Sequence, residues 1–298
     1  MSSLHNTARF ADRAMQERGA VIENVRLARD TFRVRIAAPR IAASIVPGQF
    51  VMLRLAGYDD PLLGRPLALY DTVVAPDQAG SPFALDVVYL VQGKLTSRLA
   101  RFQAGQQLEL WGPLGNGFSP SNREHLIMVA GGIGQTPFLA LAQEALRKRR
   151  YGIESRAPGN WPRRVTLCYG ARTAEYLAGV EDFRRLGVEV LISTDDGTAG
   201  HHGLVTDLLE RVLGTAPDSP NSFQIVTCGP EPMMAAVARL AAARSVPCEV
   251  SLETPMACGV GICFSCVTRV KDEAAPSGWD YRRTCVEGPV FDAARIEW

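Results

Sequence analysis

The sequence predicts a multidomain β + α/β protein: an antiparallel β-barrel, then a parallel-sheet α/β domain, then a small cysteine-bearing C-terminal domain. Three observations carry this. From Ala20 to about Gly117, apolar and polar residues alternate in short runs broken by Gly and Pro. From His125 onward, short strand-like runs, the first of them the apolar Leu126–Ala130, alternate with stretches suited to helices. Four of the seven cysteines (Cys258, Cys263, Cys266 and Cys285) crowd the C-terminal end, whereas Cys168, Cys228 and Cys248 stand alone.

The barrel strands are read from period-two patterns. Val21, Val25 and Leu27 form one and Phe32, Val34 and Ile36 the next, followed by Gln49–Leu55, Leu85–Val91 and Gln107–Trp111. Pro47-Gly48, Pro61, Gly64, Gly105 and Gly112-Pro113 punctuate them. Closure into a barrel would leave no exposed edge. In the second section Leu126–Ala130, Val165–Tyr169, Val188–Ile192 and Phe223–Thr227 read as buried parallel strands. Helices are expected at about Thr136–Arg150, Ala174–Leu186, Leu204–Leu213 and Pro232–Ala243. Arg147–Arg164, rich in Arg, Pro and Gly, reads as a solvated loop, as do His201-His202 and the turn Asp195-Asp196-Gly197. The domain boundaries that follow are an N-terminal extension over 1–19, the barrel over 20–122, the α/β domain over 123–247 and the cysteine domain over 248–298.

The 298 residues leave room for more than one core. With 47% hydrophobic and 21% charged residues the chain is globular, not disordered. A formal net charge of +1 supplies no bulk attraction to nucleic acid or an anionic membrane. No apolar run is long enough to cross a bilayer, and the N-terminus lacks an apolar signal core. A soluble, cytoplasmic protein is expected, in which clustered cysteines more often hold metal than form disulfides.

The cluster has the spacing Cys258-x4-Cys263-x2-Cys266 with Cys285 downstream, the plant-type ferredoxin arrangement for a 2Fe-2S cluster. Gly259, Gly261 and Ser265 between them are small, so backbone amides can approach the cluster sulfides. The alternative is a four-cysteine zinc site, but only Cys263 and Cys266 form the usual C-x2-C knuckle. A second signal follows the first α/β strand. Gly131-Gly132-Ile133-Gly134-Gln135-Thr136-Pro137 would aim backbone N–H groups of a helix start at a pyrophosphate, with Thr136 as cap. Pro137 stands where the dinucleotide fingerprint has its third glycine, so a tight structural turn is the competing reading. Cys228-Gly229-Pro230 closes another strand where a nicotinamide ring could lie, although a lone cysteine there also suits plain packing. In the barrel, Arg65-Pro66-Leu67-Ala68 and the turn Gly93-Lys94-Leu95-Thr96 could clamp a flavin pyrophosphate, or Arg65 could be an ordinary surface arginine.

In this order, barrel, glycine-turn domain and cysteine tail resemble the ferredoxin-NADP reductase superfamily. Within it they resemble the electron-transfer subunits of class 1B dihydroorotate dehydrogenases. The most specific stretches are Ser251–Cys266 and Cys285–Phe291. Arg65–Ala68 matches the family's flavin stretch, Leu95-Thr96 its Gly-Thr turn, and Val88, Tyr89 and Leu90 its strand along the flavin. Ala68 departs from the usual Ser or Thr, and Leu95 from glycine.

The resemblance implies an oxidoreductase subunit passing electrons between NAD(H), FAD and a 2Fe-2S cluster, with no catalytic acid or base of its own. It further implies a heterotetramer with an FMN-containing dihydroorotate dehydrogenase catalytic subunit of pyrimidine biosynthesis. Two other readings share parts of the evidence: a flavin/iron–sulfur reductase subunit serving ferredoxin or another oxidoreductase, and a non-enzymatic four-cysteine zinc or redox-sensing module.

Overall fold

The computed structural model describes residues 13–75, 80–120, 123–153, 156, 161–214 and 222–298. The barrel comprises β1 (Met15–Ala28), β2 (Thr31–Ala37), α1 (Pro39–Ser44), β3 (Phe50–Leu55), β4 (Arg65–Val74), β5 (Pro82–Leu90), α2 (Lys94–Leu99) and β6 (Gln107–Leu114). The strands close in the order β1-β2-β5-β4-β3-β6. Closure depends on the length of β1, whose first half pairs with β6 and second half with β2. Alternation delivers Val34, Ile36, Val51, Leu53, Leu85 and Val87 to a sealed interior. Burial of each such side chain contributes about 1.5–3 kcal/mol.

The second unit comprises β7 (His125–Gly131), α3 (Phe138–Ala145), β8 (Arg164–Ala171), α4 (Val180–Arg185), β9 (Glu189–Thr194), β10 (His201–His202), α5 (Val205–Gly214), β11 (Phe223–Cys228), α6 (Glu231–Ala243) and β12 (Cys248–Ser251). Its sheet runs β10-β9-β8-β7-β11-β12-β15, parallel except for the last strand, β15 (Val290–Asp292). From β7 the chain moves outward through β8 to β10, then returns to β11 on the other side. The carboxyl ends of β7 and β11 therefore flank a topological switch point, where open α/β sheets bind ligands. The remaining strands, β13 (Val267–Lys271) and β14 (Trp279–Arg283), form a hairpin beside the cysteines.

Several expectations are corrected. The first strand starts at Met15, so residues 15–19 belong to the barrel; residues 1–12 of the expected extension lie outside the described residues. The cysteine segment lies between β12 and β15, both of which are strands of the α/β sheet. The helix expected over Thr136–Arg150 shortens to Phe138–Ala145 after a 3-10 turn at Gly132–Gln135, and Pro137, not Thr136, takes the cap position. Gly179, at φ 71°, divides the expected Ala174–Leu186 helix into a 3-10 turn and α4. His201-His202 form the short edge strand β10.

The described part of the 147–164 loop is not simply solvated. Tyr151 is buried against the barrel core and donates to Asp71 Oδ1 at 2.7 Å, and Arg149 pairs with the same carboxylate at 2.9 Å. Arg156 lies 3.5 Å from the buried Glu144. The loop thereby ties the barrel to the α/β unit. No helix among the described residues is long and apolar enough to cross a membrane.

Candidate functional site

A cavity of about 780 Å³ opens where the three parts meet. Arg65, Pro66, Leu67, Ala68, Val88, Tyr89, Leu90, Leu95 and Thr96 border it from the barrel, and Ile133, Thr136, Pro137 and Cys228 from the α/β unit. Ser251–Ala257 and Ser265 close it from the cysteine segment. Most of its wall is apolar with a few polar groups, a composition typical of cofactor sites.

Local geometry separates the roles of these residues. The exposed Arg65 guanidinium folds back on its turn, donating to the Leu63 and Gly64 carbonyls at 3.2 and 3.0 Å. Gly64 is required there because a Cβ would lie 2.6 Å from the Trp111 ring. Along β5, Val88 packs toward the α/β unit, whereas Tyr89 turns its ring into the barrel. The Tyr89 ring stacks on Phe32 and its hydroxyl donates to Asn24 Oδ1 at 3.0 Å. Leu95 borders the cavity while its side chain packs into the barrel core. Thr96 Oγ1 accepts from the Gln92 and Gly93 amides at 3.0 and 3.1 Å, holding the start of α2.

At the switch point the glycines divide their tasks. A Cβ on Gly134 would sit 2.2 Å from the Cys228 carbonyl oxygen, and one on Gly131 2.6 Å from Met233 Sδ. Gly229 has φ 149°, and a Cβ there would lie 2.9 Å from the Gly131 amide nitrogen. These residues let the ends of β7 and β11 touch. Gly132 differs: it has φ 56° and a Cβ there would meet open space. Gly131, Gly132 and Pro230 border a second cavity of about 620 Å³, which also takes in Arg172 and Asp195.

Gly134 and Gln135, expected among the nucleotide contacts, border none of these cavities. Gln135 is fully buried, with neither Oε1 nor Nε2 hydrogen-bonded to the protein. The turn there curls into a 3-10 segment that carries both residues beneath the surface.

A third cavity, of about 370 Å³, lies between Gly229-Pro230, Glu253-Thr254 and Glu297-Trp298. Glu253 borders this cavity and the first, and sequence reasoning missed it because it belongs to no strand or ligand spacing. Glu253 is exposed as a residue, yet the surrounding protein pushes its pKa up by desolvation. Among the described residues it makes no hydrogen bond or ion pair. Burial, and next the nearby Glu253, push the Cys228 thiol up, which keeps it protonated and unreactive.

The four expected thiols lie along the segment from Cys258 to Cys285, and two of them meet. Cys266 and Cys285 lie with Sγ atoms 3.2 Å apart, and Cys263 interacts with both Ser265 and Cys258. Ser265, and then Cys258, draw the exposed Cys263 thiol down to about 6, and contact with Cys285 draws Cys266 down to about 6. Amides also point at sulfur: Val260 N donates to Cys258 Sγ at 3.4 Å.

The loop is moulded onto its neighbours. Trp111 Nε1 donates to the Cys258 carbonyl at 2.9 Å, and Arg283 Nη1 to that of Gly261 at 3.1 Å. Gly259 and Gly261 have φ 74° and 83°, and a Cβ on them would meet Met52 at 2.5 Å and Val286 at 2.6 Å. Among the described residues no group of three His, Cys, Asp or Glu is placed to hold one metal ion. A plant-type cluster of two irons needs two thiolates on each iron, and the four cysteines supply that number and that chemistry. The residues therefore fit a binuclear cluster.

Comparisons with known proteins agree part by part. Residues 253–297 match the iron-sulfur cluster binding domain of dihydroorotate dehydrogenase B. Residues 128–239 match the oxidoreductase NAD-binding domain, and 18–118 the oxidoreductase FAD-binding domain. The dihydroorotate dehydrogenase B (NAD(+)) electron transfer subunit of Desulforamulus reducens is 34% identical over 273 residues, covering 91% of this chain and 94% of that protein. Its counterpart in Geobacillus kaustophilus is 34% identical over 287 residues, covering 94% and 98%. Among solved structures, the NADH-dependent reduced ferredoxin-NADP oxidoreductase is 28% identical with a TM-score of 0.75, covering 94% of this chain and 90% of that one. The ferredoxin reductase in carbazole 1,9a-dioxygenase, 22% identical with a TM-score of 0.61 over 78% of this chain and 67% of its own, shares the fold. With FAD-binding, NAD-binding and iron–sulfur parts in one chain, this oxidoreductase component belongs to the family of dihydroorotate dehydrogenase B (NAD(+)) electron transfer subunits.

Proposed function

We propose that the chain connects NAD(H) to an FMN-containing dihydroorotate dehydrogenase catalytic subunit in pyrimidine biosynthesis, as part of a cytoplasmic heterotetramer. The observation that carries this reading is the shared cavity: the flavin stretch, the strand end at Cys228 and the cluster loop all border one volume. The chemistry that such groups supply when bound is two-electron exchange with nicotinamide at FAD and single-electron exchange at a 2Fe-2S cluster. The chain's task is then to hold three carriers within electron-transfer reach.

In this reading Arg65–Ala68, Val88–Leu90 and Leu95-Thr96 hold FAD, with Tyr89 contributing backbone and its ring serving the barrel. Gly131, Gly132, Thr136, Cys228, Gly229 and Pro230 form the nucleotide side, supported from beneath by Gly134 and Gln135. Cys258, Cys263, Cys266 and Cys285 hold the cluster. Cys263 is its exposed edge, and so the side on which a partner would receive or deliver an electron.

A second reading, a reductase subunit serving ferredoxin, is favoured by the 0.75 TM-score against the NADH-dependent reduced ferredoxin-NADP oxidoreductase. One experiment separates the two. Oxygen-protected holoprotein is mixed with a dihydroorotate dehydrogenase catalytic subunit or with ferredoxin, and NADH oxidation is followed with and without orotate. Orotate-dependent oxidation supports the dehydrogenase reading; oxidation that needs only ferredoxin refutes it.

A further inference from the structure

Glu253 stands at the junction of two cavities, one reaching the flavin stretch and the other the Gly229-Pro230 strand end. Among the described residues it is the one carboxylate on the wall of the larger cavity. The remaining titratable groups on that wall are Arg65, folded onto its own turn, Tyr89, turned into the barrel, and Cys228, a protonated thiol. The smaller cavity adds Glu231 from α6 and Glu297 beside Trp298, both acids, and no basic side chain. No cation therefore neutralises Glu253 from either side among the described residues.

Resting on the reading above, a nicotinamide ring that exchanges hydride must sit where the nucleotide side meets the flavin side, beside Cys228 and Glu253. That ring is neutral while it carries the hydride and cationic once the hydride has left. We propose that Glu253 is a specificity residue that makes the site bind oxidised nicotinamide in preference to reduced. Its carboxylate attracts the cationic ring and does nothing for the neutral one. By linkage, the oxidised nucleotide holds Glu253 ionised, whereas the reduced one does not. For a subunit that hands electrons to NAD+, this favours its substrate over its product.

The test uses oxygen-protected holoprotein, with NAD+ titrated calorimetrically onto the oxidised form and NADH onto the dithionite-reduced form. Glu253→Gln keeps shape and hydrogen-bonding capacity but removes charge. It is expected to weaken NAD+ binding about tenfold, equivalent to about 1.4 kcal/mol, while NADH binding changes less than twofold. Glu253→Asp is expected to restore most of the preference.

In the unmodified protein the preference is present above the raised pKa of Glu253 and fades as pH falls through it; in Glu253→Gln it is flat with pH. Equal losses for both nucleotides would overturn the proposal, as would an unchanged ratio. FAD and iron contents, read from visible absorption, separate this failure from failure of the underlying reading. In the latter case the unmodified holoprotein binds neither nucleotide.

Discussion

Replacing Gly134 with alanine is the sharpest test of how the nucleotide side is built. The added Cβ would lie 2.2 Å from the Cys228 carbonyl oxygen and 2.7 Å from the Gly229 amide. Ordinary contact begins at 3.4 Å, so the carbonyl must retreat by 3.4 − 2.2, about 1.2 Å. It cannot do so by changing a rotamer, because it is backbone in the last pair of the β7–β11 ladder, Cys228 opposite Ala130. The two strand ends must part instead. Overpacking of this kind costs about 1–3 kcal/mol, which for a chain of this size lowers the melting temperature by several degrees. The same parting displaces Gly132 and Gly229, so NAD+ affinity is expected to fall at least tenfold while iron content stays unchanged. Thermal unfolding and calorimetric NAD+ titration of Gly134→Ala check both effects. A variant with unchanged melting temperature and unchanged NAD+ affinity would refute the reasoning that the glycine serves strand-end contact.

Three further outcomes are expected. His125 is buried and its Nε2 lies 2.8 Å from Thr166 Oγ1. Burial, then the Arg164 charge, lowers its pKa from 6.5 to about 4. The unfolded chain therefore binds the extra proton first, and stability is lost as pH falls from about 6.5 to 4, by roughly 3 kcal/mol. Denaturant unfolding of His125→Gln and the unmodified protein across that range should show the acid-side slope reduced in the variant. Trp111→Phe removes the hydrogen bond to the Cys258 carbonyl and should destabilise by about 1 kcal/mol, with faster cluster loss in air; identical bleaching rates would count against this anchoring. Cys263→Ser should abolish electron delivery to a protein partner while NADH still bleaches the flavin absorption, so retained partner reduction would contradict the proposed wiring.

Much of this architecture was legible in the chain because it rests on local periodicity. The alternation in β2 and the apolar run Leu126–Ala130 of β7 reflect burial on one face or two, which a linear pattern records directly. The cysteine spacing was legible for the same reason, since three of the four ligands lie within one short loop. Gly131–Thr136 was only half legible: the motif announces a tight turn, but which glycine faces a ligand depends on what lies opposite. Gly134 meets a carbonyl contributed by a residue 94 positions away (228 − 134), and Gly132 meets nothing.

The same limit explains the remaining differences. Arg149 and Tyr151 read as solvated until the barrel presents Asp71 to them, and Glu253 carries no signal until two cavities meet at it. The amino-acid order by itself determined the strand and helix periods, the ligand spacing and the order of the three parts, because each depends on neighbours a few residues apart. Only the tertiary structure decided that the cysteine segment interrupts the α/β sheet, that Cys266 and Cys285 meet, and that, among the described residues, Glu253 faces no neutralising cation between the cavities. Those facts depend on distances between residues remote in sequence, which chain closure and packing alone set.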